Sequence, residues 1–391
     1  MIGWILLYFS IVAIAAVFVG YPLFLWLYRQ RLPKRADIVD LPDSGLPRLS
    51  VLIAVRNGEH LIEQKVRNCL ELDYPHDKLE VVVVSDGSND GTMAVLKSID
   101  SPQLHAWELS EHKGKHEALN TGMPHCRGDV VLFTDADAML EPQAARKLAR
   151  HFADPRIGGV GGQRLIGDVS GQLQSAQSTY IDADSKVKML ESAWGSVTSN
   201  DGKIYAIRRS LFQGVAAAVT DDLYVCLTVL AQGWKFRFEP EAKAYIRTPS
   251  RDSGHELSRR RRIVNRSLRG IWLNRVVLNP ARTSWQIAVG LFINKVMRRL
   301  LPVFLLLLLL SSAALCWQQP WLLLLLLPQL GIYGAALLHW LLDGKKLPLG
   351  PLNKILSVSF YFALGNLGTL LGMMDFLSGH QPIRWEPKKS G

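Results

Sequence analysis

Val81-Val82-Val83-Val84-Ser85-Asp86-Gly87-Ser88-Asn89-Asp90-Gly91-Thr92 is a β-branched, apolar run that breaks into a polar, glycine-rich turn. A short run without polar alternation suits a strand buried on both faces. Leu79–Ser85 is thus read as a strand, and Leu49–Val55 and Val130–Thr134 are runs of the same kind. Between the first two lies His60–Glu71, with Leu61, Ile62, Val66, Cys69 and Leu70 at helical spacing. Such strands separated by helices predict an α/β domain with a mostly parallel sheet covered on both faces. Sheets of that type bind ligands beyond the carboxyl ends of their strands. The loops Arg56–Glu59, Asp86–Gly91 and Asp135–Ala138 are therefore expected together on one edge.

Outward from this region the composition changes. The chain has 391 residues and a net charge of +11, and its ends are far more apolar than its middle. Ile2–Tyr28 carries no charge and is long enough to span about 30 Å of hydrocarbon. A cleaved signal would carry its basic residues first. Here Arg29, Arg31, Lys34 and Arg35 follow the apolar run, which predicts an uncleaved helix over residues 1–28 with its N-terminus outside. Residues 29–48, rich in Pro, Asp and Gly, read as a linker, and 49–275 as the cytosolic domain. Leu301–Trp317, Trp321–Leu342 and Ile355–Leu377 predict three more spans within 301–378, with Trp317, Trp321 and Trp340 at their ends. Within 276–300, Trp285–Ile293 is too short to span and precedes Lys295, Arg298 and Arg299, so it is expected to lie along the inner surface. Asp343, Lys345 and Lys346 mark a cytosolic loop. For the tail, 379–391, helix counting points outside while Arg384, Lys388 and Lys389 favour the cytosol.

The positive charge therefore sits at membrane flanks, where it meets membrane lipids or an anionic ligand, and no nucleic-acid module is visible. Cys69, Cys126, Cys226 and Cys316 show no paired spacing and read as reduced thiols rather than a disulfide framework or zinc site.

Several polar clusters could carry chemistry. Asp86, at the end of its strand, either satisfies its own turn or accepts hydrogen bonds from a nucleotide. Asp135 and Asp137 stand one residue apart just past a buried strand, where their mutual repulsion is poor for folding but their hard oxygens suit Mg²⁺ or Mn²⁺. A helix cap by Asp137 is the alternative. Lys113 and Lys115 flank Gly114 at a predicted helix start and suit an anion or a solvated turn. Asp221 and Asp222 precede the apolar helix Leu223–Leu230, as a cap or as a general base. Arg259–Arg262, Arg266, Arg269 and Arg275 form a basic stretch before the membrane region, suited to lipid surface or to a diphosphate.

The order of these motifs resembles the family 2 glycosyltransferases of the GT-A (Rossmann-like) fold, in the membrane-integrated branch with cellulose, hyaluronan, chitin and poly-N-acetylglucosamine synthases. The resemblance covers Leu49 to about Trp272. It rests on Ser50–Glu59, Ser85–Ser88, Gly114-Lys115 with Ala118–Asn120, Asp135-Ala136-Asp137, Gly202–Arg209, Asp221-Asp222 and Gly233–Pro240. It implies an inverting enzyme that moves a sugar from a nucleotide-sugar, a UDP-sugar by family habit, to a lipid-linked or saccharide acceptor. Val55, Asn57, Glu59 and Asp86 would hold the nucleoside, and Lys115 and Arg262 would meet the diphosphate. Asp135 and Asp137 would bind the metal, Asp222 (or Asp221) would be the base, and Gly202 and Tyr205 would line the acceptor side. One window departs from the family. The processive synthases carry Gln-x-x-Arg-Trp before their membrane helices, whereas this chain has Arg259-Arg260-Arg261-Arg262-Ile263. Loss of the Trp argues for limited addition over polymer extension. A non-catalytic nucleotide-sugar-binding subunit is the rival from another class, and the complete carboxylate set argues against it.

Overall fold

The computed structural model describes residues 1–31, 40–167, 172–246, 253–342 and 352–380. The basic or loop positions Lys34, Arg35, Asp343, Lys345, Lys346, Arg384, Lys388 and Lys389 lie outside the described residues.

The chain opens with α1 (Ile2–Ala15) and α2 (Tyr21–Arg31), joined through a π-turn into one apolar stretch of 30 residues. The domain then alternates β1 (Leu49–Val55), α3 (Ile62–Leu70), β2 (Leu79–Ser85), α4 (Thr92–Ser98), β3 (Leu104–Glu108), α5 (Lys115–Gly122) and β4 (Val130–Phe133). The three strands expected from their apolar runs are present, and β1 pairs in parallel with β2 and with β4, while β2 pairs in parallel with β3. Their burial on both faces explains the runs: Val81, Val82, Val83 and Val84 are all 0% exposed.

Past β4 the sheet becomes mixed, with β6 and β8 still parallel to each other. β5 (Ala138–Leu140), α6 (Ala144–Ala149), β6 (Ile157–Ile166), α7 (Gln172–Trp194), β7 (Tyr205–Arg208), α8 (Asp221–Ala231) and β8 (Lys235–Ile246) complete an eight-stranded sheet of order β3-β2-β1-β4-β7-β6-β8-β5. β7 runs antiparallel to β4 and to β6, and β5 antiparallel to β8. The expectation of a mostly parallel sheet thus holds for the half built from βα units; the other half is mixed because its strands are joined by other routes. Antiparallel β7 has a direct consequence. It sets Tyr205 opposite Phe133, so the Gly202 loop that enters β7 lies beside the Asp135 loop that leaves β4.

The remaining helices are α9 (Ser253–Leu273), α10 (Trp285–Leu291), α11 (Leu301–Leu315), α12 (Leu323–Leu341) and α13 (Leu352–Leu377). Three helical stretches among the described residues are long and apolar enough to cross a membrane: Ile2–Arg31, Pro320–Leu341 and Leu352–Leu377. A fourth counts if Trp285–Met297 and Leu301–Leu315, which meet at 60°, are taken as one broken span. Of the three later spans expected from the sequence, Leu301–Trp317 therefore counts only as part of that bent pair, since its helix Leu301–Leu315 has 15 residues. At one end of this bundle Leu7 packs with Leu315 and Leu322. At the other, Tyr21 and Leu25 pack on Trp194 of α7.

The seam between α2 and the domain is polar at its centre. Glu191 is 0% exposed. It accepts from Tyr21 Oη at 2.8 Å, from Asn294 Nδ2 at 3.0 Å and from the Thr198 N–H at 3.3 Å. Burial pushes its carboxyl above the usual range, and the three donors make the site tolerable. Replacing Glu191 by Ala should destabilise the detergent-solubilised protein by about 2–4 kcal/mol, since buried donors lose their acceptor. Glu191→Gln, which keeps an acceptor, should cost less. Thermal unfolding of the three proteins checks this; equal midpoints for Glu191→Ala and the wild type would refute the seam's role.

Candidate active site

The site lies beyond the carboxyl ends of β1, β2 and β4, where the chain must leave the sheet. The first two loops are laced to each other. Asn57 adopts φ 51°, and its N–H donates to Ser88 Oγ at 3.0 Å while its Oδ1 accepts from the Asn89 N–H at 3.0 Å. The Glu59 N–H donates to Asp90 Oδ2 at 3.2 Å, and Glu59 Oε2 accepts from the Gly91 N–H at 3.0 Å. Val55 is buried beneath them. These residues of the expected nucleoside loop are thus brought together, with their polar atoms spent on the loop itself. The cation beside them is Arg56, whose Nε and Nη1 are buried without a protein hydrogen-bond partner.

Asp86 is 3% exposed, and its carboxylate already has donors. The N–H groups of Lys113 and Gly114 reach its oxygens at 2.8 and 2.9 Å, and the His112 ring nitrogen lies 2.8 Å away. Its structural work is to fold the 111–114 loop over the edge of the sheet. Gly87 makes this possible: at φ 57°, with the Glu111 backbone 2.4 Å from where a Cβ would stand, no other residue fits. Asp86 thus satisfies the 111–114 loop rather than its own turn, and its carboxylate oxygens are already engaged there.

At the centre, two lysines bind three carboxylates. Lys115, the first residue of α5, lies 2.6 Å from Asp135 Oδ1 and 2.8 Å from Asp221 Oδ2. Lys203 bridges Asp135 Oδ2 at 2.9 Å and Asp137 Oδ1 at 2.7 Å. Burial alone would raise the Asp135 carboxyl, but the two ammonium groups outweigh it and hold it well below the usual range. Conversely Asp135 and Asp221 outweigh burial at Lys115 and hold its ammonium charged. Lys203 and the deeply buried Lys65 went unremarked in the sequence. Lys65 donates to Thr134 Oγ1 at 3.0 Å and to the Ala138 carbonyl, pinning both ends of the Asp135 loop. Its spacing placed it on a helix among apolar residues, and nothing local marks it; Lys203 stood beside Gly202 and was open to notice.

Asp135 and Asp137 fit a divalent cation. The Lys203 ammonium already stands as a cation between one oxygen of each. Among the described residues no group of three or more His, Cys, Asp or Glu could hold a metal ion, so a cation here would find two hard carboxylates and would need its other positions filled by phosphate and water.

Asp222 is set apart from its neighbours. Its Oδ2 accepts from the Gly202 N–H at 3.0 Å and its Oδ1 from the Leu223 N–H at 2.7 Å. Burial first, then Asp221 and Asp201, push its carboxyl up to about 6. Two adjacent acids thus have divided environments: Asp221 faces a lysine, and Asp222 faces backbone and further acids. Tyr205, expected on the acceptor side, lies beneath these groups. It is 0% exposed and stacks on Phe133 at 4.6 Å, and its hydroxyl has no protein partner.

Arg262 and Arg266 project from α9. Burial lowers both guanidinium groups, and Arg266 and Arg259 bring Arg262 down to about 10. Asp221 is the acid whose field Arg266 feels. The rest of the window is otherwise engaged: Arg259 and Arg260 each reach Glu256 at 3.1 Å, and Arg261 grips Asp375 of α13 at 2.5 and 2.7 Å.

Residues 50–216 match the model of glycosyl transferase family 2. The poly-beta-1,6-N-acetyl-D-glucosamine synthase of Staphylococcus aureus (strain COL) is 25% identical over 285 residues, covering 71% of this chain and 63% of that protein. The probable glycosyltransferase YdaM of Bacillus subtilis (strain 168) is 28% identical over 217 residues, covering 52% of this chain and 51% of its own length. The chain therefore spans less than two thirds of these curated relatives. Among solved structures, the mannosyltransferase PcManGT from Pyrobaculum calidifontis, in complex with GDP-Man and Mn²⁺, shares the fold with a TM-score of 0.68 at 24% identity, over 95% of this chain and 99% of that one. The GT-A-like sheet and the matched region agree: residues 50–216 form a glycosyl transferase family 2 domain, and the chain is similar to a polysaccharide synthase.

Proposed function

We propose that the protein is an inverting, metal-dependent transferase that moves a sugar from a nucleotide-sugar to an acceptor hydroxyl at a membrane, with its catalytic domain on the cytosolic side. The observation that carries the reading is Asp222, a buried carboxyl raised to about 6 beside the Gly202 loop and within a few residues of the lysine–carboxylate cluster. A base poised near neutrality at a site of concentrated charge suits abstraction of a hydroxyl proton.

In the proposed step the acceptor oxygen attacks the anomeric carbon as its proton passes to Asp222. The bond from that carbon to the phosphate oxygen breaks, and the electron pair leaves on the nucleoside diphosphate. Arg56, Arg262 and Arg266 would stabilise the charge that grows there, and the 111–114 loop shaped by Asp86 would seat the nucleoside. Asp135 and Asp137 would hold a Mg²⁺ or Mn²⁺, which when bound supplies Lewis-acid stabilisation of the leaving diphosphate. Lys203 would then give up the position it holds between them, a local charge exchange.

A UDP-linked N-acetylhexosamine is the favoured donor, since the S. aureus relative is named as a poly-N-acetylglucosamine synthase. That same likeness favours a second reading, processive extension of a polysaccharide. Limited addition is preferred because Ile263 stands where the processive synthases carry Trp, and because Arg261 of that window is tied to Asp375.

Three outcomes test the reading in detergent-purified protein given a panel of nucleotide-sugars. Asp222→Asn should lower turnover by about two orders of magnitude or more with donor binding nearly intact. It should also be more stable than the wild type at pH 8, because a carboxyl whose folded pKa exceeds its unfolded one loses stability as pH rises through that interval. Unchanged turnover would remove Asp222 from the mechanism. Second, kcat/KM should fall about tenfold per pH unit below about 6, where Asp222 takes up its proton; a profile flat to pH 4.5 would contradict a carboxyl base there. Third, Asp137→Ala should abolish the stimulation of donor binding by Mn²⁺ or Mg²⁺, measured by calorimetry, and an intact metal response would sink the ligand assignment.

A further inference from the structure

Away from the catalytic carboxylates, α11, α12, α13 and the first turns of α9 surround a cavity of about 750 Å³. Its walls include Leu305, Leu309, Ala336, Leu337, Ala363 and Leu367. The volume falls within the range of about 300–1,000 Å³ typical of ligand sites, and apart from Ser253, Tyr333, Trp340 and Asn366 the walls are apolar, unlike those that hold a sugar or nucleotide. Two of the walls, α12 and α13, belong to stretches apolar enough to cross a membrane. The contents such walls select come from the bilayer and are hydrocarbon.

One helix joins this cavity to the catalytic site. Leu257 of α9 is part of the wall. Arg260 lies against α13, where a Cβ on Gly368 would meet Arg260 Cβ at 3.2 Å. Arg262 and Arg266 follow, on a helix that packs against α8, whose first residue is Asp221. From Leu257 to Arg260 is about 5 Å along a helix, within the roughly 5–8 Å depth of a headgroup layer. At its far end α9 enters the domain core at Ile271. Its contact with α13 is held by Arg261–Asp375 and by Asn265 Nδ2, which donates to the His380 carbonyl at 3.0 Å. The end of α13 is thereby tied to the helix that leads to the catalytic site.

We propose that this cavity holds the hydrocarbon tail of a phosphate-bearing lipid whose free hydroxyl is the acceptor, with its phosphate at the half-exposed Arg260 beside α13, ahead of the arginines that would meet the diphosphate. The tail sets the lipid's depth, Arg260 its phosphate, and Asp222 takes the proton of the hydroxyl as the glycosidic bond forms and the nucleoside diphosphate leaves. This rests on the glycosyltransferase reading above, but lipid occupancy does not depend on it.

The test uses the full chain in phosphatidylcholine nanodiscs doped with a phosphatidylglycerol or a phosphatidylcholine that carries a photoactivatable diazirine in one acyl chain. Mapped by peptide mass spectrometry, adducts on α11 and α13 should be about fivefold more abundant from phosphatidylglycerol, which offers both phosphate charge and free hydroxyl, and should be lost in Ala336→Trp and Ala363→Trp. Equal labelling by the two probes would mean ordinary bilayer contact and would overturn the proposal. In parallel, the two Trp variants should lower sugar transfer into solvent-extractable lipid by about tenfold while nucleoside diphosphate release to water, measured without added lipid, stays unchanged. Unchanged lipid transfer overturns the acceptor role. Selective labelling by phosphatidylglycerol, with no nucleoside diphosphate release from any donor, would leave the lipid site standing and remove the glycosyltransferase reading instead.

Discussion

The constraint on which the rest depends is the pairing of two lysines with three carboxylates at the edge of the sheet. Lys115 ties Asp135 to Asp221, and Lys203 ties Asp135 to Asp137. Without these ammonium groups, three acids and the nearby Asp222 would repel at close range in a partly dry site. With them, the Asp135 loop, the start of α5, the Gly202 loop and the start of α8 are held in register. The arrangement is costly to desolvate and is weak evidence for stability. Under the proposed function its value is that it keeps acids concentrated where a divalent cation would replace Lys203.

The same division of charge separates Asp221 from Asp222. Neighbours in sequence, they stand at the first turn of one helix, yet one faces Lys115 and the other backbone N–H groups with Asp201 nearby. Burial beside other acids raises the pKa of Asp222. The antiparallel β7 makes this possible, because it returns the Gly202 loop to the edge that the parallel strands have already built.

The membrane-facing half is coupled to this edge by polar contacts inside an otherwise apolar assembly. Glu191 gathers donors from α2, from the helix that follows α10 and from the loop after α7. Arg261 and Asn265 bind α9 to the end of α13. Polar bonds between apolar helices fix relative position more sharply than hydrophobic contact does, since an unpaired partner there is expensive. The helix that carries Arg262 and Arg266 is accordingly held from both the membrane side and the domain side.

Much of this was legible in the sequence. Unbroken β-branched runs can be buried on both faces only in a covered sheet, so β1, β2 and β4 and the edge they share followed from local composition. Long uncharged stretches have few alternatives to membrane helices, and Asp135, Asp137 and Asp222 stood in motifs whose order carried the family resemblance. What only the tertiary structure decided is partnership. The mixed half of the sheet, the role of Lys65 and Lys203, the engagement of Asp86 with the 111–114 loop and the division between Asp221 and Asp222 all depend on groups far apart in sequence. A residue's type and neighbours announce what chemistry it is able to do, but its protonation and its partners are set by the dielectric and the charges that folding brings around it, and those come from elsewhere in the chain.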